Sequence, residues 1–170
     1  SRENILKAKL EILEGLKETG KLIVNNDNDL LHKYYEENKN DFIISCGIDN
    51  ESDYVANNIE YNEIGSKFNV LDKEIKVNVP SNVFVYNALV AYAVGDILGI
   101  NDSEIKKGIS SFKLSSGRLE RKVNSRGVTI IDDTYNANYD SMSSSVSLLG
   151  KVKDKRRIAK QVSDFIYELQ

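Results

Sequence analysis

Apolar residues recur along this chain with two different periods, and the changes of period mark out its elements. Ile12 and Leu16 fall within roughly 20° of Ile5 at ~100° per residue, so residues 3–18 are predicted as an amphipathic helix. "KLIVNNDND" predicts a short buried strand, Leu22–Val24, ending in a polar turn; a helix over about 28–38 follows, then a strand in "FIISCG", 42–47. From Asp53 to Val79 the alternation is near two. It predicts two or three antiparallel strands with turns at Ile64-Gly65 and Asp72-Lys73. Pro80 precedes "SNVFVYNALVAYAVGDILGI", a helix over about 82–98 stopped by Gly99. Asn101 with Glu104 three residues on has the form of a capping box for a short helix. "RLERKVN" and "VTIID" flank a turn at Ser125–Gly127 and predict a hairpin. A helix over Asp140–Leu149 and a strand near Arg157 complete the pattern. Strands alternating with helices, with an antiparallel patch between them, predict an α/β fold.

The bulk properties narrow the function classes. A length of 170 residues suits one domain or parts of two. The net charge of -3 gives no support for a nucleic-acid partner, which calls for a basic surface. The single cysteine, Cys46, excludes an internal disulfide and fits a reducing, cytoplasmic setting. The single histidine, His32, excludes a multi-histidine metal site, and both residues read as bystanders, His32 on a solvated helix and Cys46 as a small filler in a strand. No apolar run approaches the roughly 18 residues that span a bilayer, so no membrane insertion is expected. The chain starts without Met and nearly inside a helix, so a piece of a longer protein is expected. Nothing in the pattern fixes an oligomeric state.

Three places put polar chemistry where the pattern predicts burial. Lys9 falls at about 40° on the first helix, inside the stripe of Ile5 and Ile12. One reading is a stem packed on apolar surface with its ammonium reaching water. The other is a desolvated amine of lowered pKa, able to form a carbamate with carbon dioxide and so to offer oxygens to Mg²⁺. Asn87 lies in a helix that is apolar nearly all round, so it is expected buried. Its amide then bonds either a neighbouring loop or the polar edge of a ligand. Finally, "VTIIDDTYNANYDSM" runs an apolar strand into Asp132-Asp133, then Tyr135, Asn136 and Asn138, then a helix. Ligands of open α/β sheets settle beyond such strand ends. Carboxylates there suit ribose hydroxyls or a cation; the alternative is that Asp and Asn are turn and cap formers.

These segments, in this order, resemble the Mur ligase family. "DDTYNANYDSM" is similar to a signature of that family, "LIVNNDND" to its "NxDN" turn, "YNALVAYAVG" to its "NALAA" helix and "SSGRLE" to its hinge arginine. The opening "SRENILKAKLEILEGL" is similar to the helix after the family's central segment. The branch it resembles joins D-alanyl-D-alanine to a UDP-N-acetylmuramoyl-tripeptide in peptidoglycan synthesis, with ATP and Mg²⁺, through an acyl phosphate. The resemblance implies the second half of a central ATPase domain over 1–114, a mixed sheet with flanking helices, and the start of a Rossmann-like domain over 115–170. It implies a carbamylated, Mg²⁺-linked Lys9, Asn87 beside adenine, Arg118 near the nucleotide phosphates and Asp133 on the ribose. Tyr135, Asn136 and Asn138 become substrate-loop candidates.

The pattern also departs from the family. No G-x-x-x-x-G-K-[ST] phosphate loop occurs in these residues, so this stretch alone is expected to be inactive. Ser81-Asn82-Val83-Phe84 replaces the family's "GKHN", and Tyr139 stands where Pro is usual. A segment is expected to be missing between Ala159 and Lys160. Two other readings stand beside this one: another Mur-like ligase such as a folylpolyglutamate synthase, and a non-catalytic nucleotide-binding or scaffold domain.

Overall fold

The computed structural model describes residues 1–62, 64–135, 139–151, 156 and 158. It is mixed α/β, and the chain divides into two compact units, 1–112 and 113–170.

The first unit opens with α1 (Arg2–Leu10), which tightens into a 3₁₀ turn over Glu11–Gly15 rather than running on to residue 18. Its buried side is rotated from the predicted stripe. Leu6, Leu10 and Leu13 are half-buried, whereas Ile5 is 62% and Ile12 66% exposed. Lys9 shares that outward face and is itself exposed, so its predicted burial is corrected.

Parallel strands β1 (Leu22–Asn25) and β2 (Ile43–Gly47) follow, joined through α2 (Asp29–Asn38), and β3 (Tyr54–Val55) pairs with the far side of β2. As the central strand of three, β2 buries Ile43, Ser45, Cys46 and Gly47 with no clean alternation, as strands covered on both faces do. Val24, Tyr35 and Ile43 pack into one cluster with Leu22 and Tyr34, which fastens α2 to the sheet.

The antiparallel patch is a second sheet, β4 (Asn57–Tyr61), β5 (Ser66–Val70) and β6 (Lys73–Val77). Phe68 and Ile75 sit opposite each other and are both fully buried, as are Val70 on β5 and, nearly so, Val77 on β6. The β5–β6 loop is two residues, Leu71 (φ 45°) and Asp72 (φ 59°), and two left-handed residues match the twist of a hairpin.

Helix α3 (Asn82–Ile97) buries Val85, Ala88, Leu89, Tyr92 and Ala93 on one side. Gly95 lets α4 (Asp102–Ser110) approach: a Cβ there would lie 2.7 Å from Ile105 Cγ1. The end of α3 is a Schellman motif. The Gly99 amide donates to Asp96 O (2.9 Å) and the Ile100 amide to Gly95 O (2.9 Å), with Gly99 at φ 72°. Asn101 caps α4 as predicted, accepting from the Glu104 amide (3.1 Å) while its own amide donates to the Glu104 carboxylate (2.9 Å). Tyr92 is buried, and its hydroxyl donates to Asp102 (2.7 Å), which also receives Lys73 (2.9 Å). The Tyr92 hydroxyl first, and then Lys73, hold the Asp102 carboxyl below the usual carboxylate range.

The second unit contains the predicted hairpin, β7 (Glu120–Val123) with β8 (Thr129–Asp132), and then α5 (Tyr139–Lys151). Asn124 shapes the turn by accepting the Arg126 (2.9 Å) and Val128 (3.0 Å) amides on its side chain, and Gly127 takes φ 73°. The expected strand near Arg157 and the tail after Lys160 lie outside the described residues.

The turn after β1 holds the loop after β2 through one carboxylate. Asp27 accepts the backbone amides of Ile48 (2.6 Å), Asp49 (3.0 Å) and Asn50 (2.9 Å). Hydrogen bonds to a charged group contribute about 1.5–3 kcal/mol each. Asp27→Ala is therefore expected to speed amide exchange at Ile48–Asn50 by roughly ten- to a hundredfold, read by hydrogen-exchange mass spectrometry. Unchanged protection would show that the loop stands without this carboxylate.

Candidate functional site

The "NNDN" turn spends its polar side chains on itself. Asn25 accepts the Asp27 amide (2.9 Å), and Asn28 caps α2 by accepting the Leu31 amide (3.1 Å). Asn26 is fully buried; its amide nitrogen donates to Glu51 O (2.9 Å) and reaches Ser52 Oγ (3.1 Å). Its oxygen faces His32 Nδ1 at 2.9 Å. His32 is thus half-buried and bonded to a core amide, which corrects its reading as a bystander on a solvated helix. A side chain in the first turns of a helix leans back toward the N-terminus, and Asn26 lies there. An open cleft of about 580 Å³ runs between α2 and the 50–53 loop, lined by His32, Tyr35, Glu36, Asn50, Ser52 and Asp53. Its inner wall is structural: Asp53 accepts the Ser45 amide and hydroxyl, both at 2.8 Å. Cys46 lies behind it, with no exposed surface, and burial first and the Asp53 charge second push its thiol up to about 12. A thiol so held has almost no nucleophilic thiolate at neutral pH.

In the second unit the two carboxylates at the end of β8 have different duties. Asp132 accepts the Thr134 hydroxyl (2.7 Å) and meets Lys122 at 3.4 Å on the exposed side. Asp133 turns the other way. One oxygen accepts the Leu119 amide (3.2 Å) and the other the Ser145 hydroxyl from α5. The 115–120 loop therefore lies against the strand end. Gly117, buried at φ 74°, accepts the Tyr135 amide on its carbonyl (2.9 Å), and a Cβ at Gly117 would come within 3.3 Å of that same nitrogen. Glu120 steadies the loop, accepting the Ser116 hydroxyl (2.9 Å) and the Gly117 amide (3.3 Å). Between these ties Arg118 extends over the Tyr135 ring, its guanidinium carbon 4.0 Å from the ring centroid.

The structure thus brings Arg118, Asp133 and Tyr135 together. Arg118 is exposed and makes no salt bridge among the described residues. Among the described residues each Asp133 oxygen accepts one bond, and a carboxylate oxygen can accept more than one. Sequence reasoning missed Ser145, one of several serines in α5 that no pattern distinguishes, and Leu119, whose left-handed backbone (φ 48°) carries no residue signature. The glycine of "SSGRLE" is a legible signal, because its left-handed backbone (φ 74°) would strain any other residue and a Cβ there would press on the Tyr135 nitrogen at 3.3 Å.

Asn87 is exposed, on the outward side of α3 with Val83, Ala91 and Val94, which corrects its predicted burial. That helix is apolar all round in sequence but buries one side within this chain. Asn136 and Asn138 lie outside the described residues. No cluster of three or more His, Cys, Asp or Glu side chains that could hold a metal occurs among the described residues, and Lys9 stands exposed. No helix among the described residues is long and apolar enough to cross a membrane.

Comparison with known proteins gives this arrangement a lineage. Residues 1–95 match the Mur ligase middle domain. The chain is 35% identical over 150 residues to the UDP-N-acetylmuramoyl-tripeptide–D-alanyl-D-alanine ligase of Bacillus subtilis, covering 87% of this chain and 32% of that one. The Escherichia coli enzyme of the same name is 32% identical over 162 residues, 92% and 36% of the two chains. The UDP-N-acetylmuramate–L-alanine ligase of Lachnospira eligens is 34% identical over 126 residues, 71% and 28%. Among solved structures, MurF from Acinetobacter baumannii superposes with a TM-score of 0.80 at 28% identity, covering 90% of this chain and 34% of that one. MurF from Thermotoga maritima in complex with ADP gives 0.71 at 25% identity, covering 89% and 35%. The chain spans about a third of the length of these relatives. With the family's middle domain matched across more than half of its residues, the chain belongs to the Mur ligase family.

Proposed function

We propose that the intact protein joins D-alanyl-D-alanine to a UDP-N-acetylmuramoyl-tripeptide at the cost of ATP, in peptidoglycan synthesis in the bacterial cytoplasm. The observation that carries this is the reach of the likeness: relatives of that name match across 87–92% of the chain, both units included. In this reading a carboxylate oxygen of the tripeptide attacks the terminal phosphorus of ATP and ADP departs. The amine of D-alanyl-D-alanine then attacks the acyl carbon of the resulting acyl phosphate, loses its proton, and expels phosphate.

This chain's residues contribute recognition and charge. Asp133 accepts from the ribose hydroxyls, and Arg118 neutralises charge on the phosphate oxygens, where most of the catalytic benefit of phosphoryl transfer lies. The Asn87 amide offers a donor and an acceptor to the adenine edge. Lys9, as a carbamate, supplies carboxylate-like oxygens; magnesium, when bound, supplies charge neutralisation on the nucleotide. Asn87 stands exposed within this chain, as a residue that meets a ligand edge must; Lys9 is exposed too, so its carbamate rests on the family resemblance and not on desolvation.

A second reading, addition of L-alanine to UDP-N-acetylmuramate, draws on the 34% identity to a ligase of that name. Phosphate release by the intact protein with ATP separates the two. Release that needs both the tripeptide nucleotide and D-alanyl-D-alanine is expected; release with UDP-N-acetylmuramate and L-alanine instead would replace this reading, and none with either pair would leave a non-catalytic nucleotide-binding protein. Lys9→Ala in the intact protein is expected to abolish turnover, with partial recovery in a short carboxylic acid such as formate; full activity without rescue would remove Lys9 from the mechanism. Asp133→Asn is expected to raise the KM for ATP about tenfold or more, since the charge is lost and one acceptor oxygen becomes an amide donor. An unchanged KM would mean that Asp133 serves only the Leu119 and Ser145 bonds.

A further inference from the structure

We propose that Tyr135 is a positioning residue for Arg118, its ring face fixing the direction from which the guanidinium meets the nucleotide phosphates. This rests on the nucleotide reading of Arg118 given above. The guanidinium lies 4.0 Å from the ring centroid, well inside the ~6 Å over which a cation is drawn to an aromatic face. The backbone enforces that stacking from both sides. The Tyr135 amide is bonded to Gly117 O (2.9 Å), and the residue after the arginine, Leu119, is bonded to Asp133 (3.2 Å). Arginine and ring thus face each other because their own main chains are tied together, not because two flexible side chains meet by chance. A free arginine side chain has many rotamers, and holding it before ligand arrives lowers the entropy lost on binding. Tyr135 is 65% exposed, so its ring is available as a platform without being part of the core. No hydroxyl contact is needed for this role; the ring face suffices.

The test uses the intact protein, with ATP, the tripeptide nucleotide and D-alanyl-D-alanine, and reads phosphate release and thermal midpoint. Arg118→Ala is expected to lower kcat strongly; an unimpaired variant would overturn the nucleotide reading itself. Tyr135→Ala and Tyr135→Leu are each expected to lower kcat about two- to fivefold, the size of one exposed cation–ring contact, with the midpoint unchanged. Tyr135→Phe, which keeps the ring, restores turnover to within about twofold of wild type. In the Arg118→Ala background, Tyr135→Ala should have no further effect, because its influence passes through the arginine. Wild-type turnover in Tyr135→Ala alongside an impaired Arg118→Ala overturns this inference alone. So does an undiminished effect of Tyr135→Ala in the Arg118→Ala background, which would show the ring touching ligand directly, or a loss in Tyr135→Phe equal to that in Tyr135→Ala.

Discussion

Backbone amides that leave a strand must be paired, and this chain pairs several of them with carboxylates. Asp27 collects three amides from the loop after β2, Asp53 takes the Ser45 amide, and Asp133 takes the amide of Leu119. An amide left unpaired in a part-buried loop costs about 1–3 kcal/mol, so these acids decide which loops can exist in a fixed form. The loops they fix are those at the strand ends, where a ligand of an α/β fold arrives. In the second unit the consequence is direct: the Asp133–Leu119 bond, together with the Tyr135–Gly117 bond, holds the backbone on either side of Arg118.

The fold was legible to the extent that local chemistry determined it. The short strands at 22–25 and 43–47 are apolar runs bounded by turn residues, and α4 announces itself by Asn101 and Glu104. The hairpin at 120–132 follows from alternation and from Gly127 in its turn. What local pattern could not supply was the parallel partner β3, only two residues long, whose place is fixed by its pairing with Cys46 and Gly47. The early tightening of α1 was equally hidden, since the periodicity of 3–18 does not distinguish an α-helical turn from a 3₁₀ one.

The site was legible in its residues more than in its burial. Projecting α1 put Ile5, Lys9 and Ile12 on one face, and they share one; the step from apolar stripe to core was the faulty one. The same step fails at Asn87, because a helix apolar on all sides is not thereby covered on all sides. Periodicity reports which side chains lie together, while cover depends on what packs there. His32 failed in the opposite direction: a polar residue on a polar helix was read as solvated, although its partner Asn26 sits six residues back in the buried turn. Pairing of this kind leaves no periodic trace.

The acidic pair at 132–133 shows why the bland and the functional readings of such a motif are not rivals. Asp133 does form turn-building bonds, to Leu119 and Ser145, as a structural carboxylate would. Those bonds aim its remaining lone pairs and hold the arginine loop alongside. A carboxylate carries about four acceptor sites, and Asp133 receives two bonds from the described residues. An acceptor site left open on a carboxylate so held is directed by the fold rather than by solvent, and a directed acceptor binds a hydroxyl with less entropy lost than a free one. The neighbouring Asp132, the last residue of β8, is paired instead with Lys122 and Thr134, so two identical side chains one residue apart take different duties from the partners the fold brings to each.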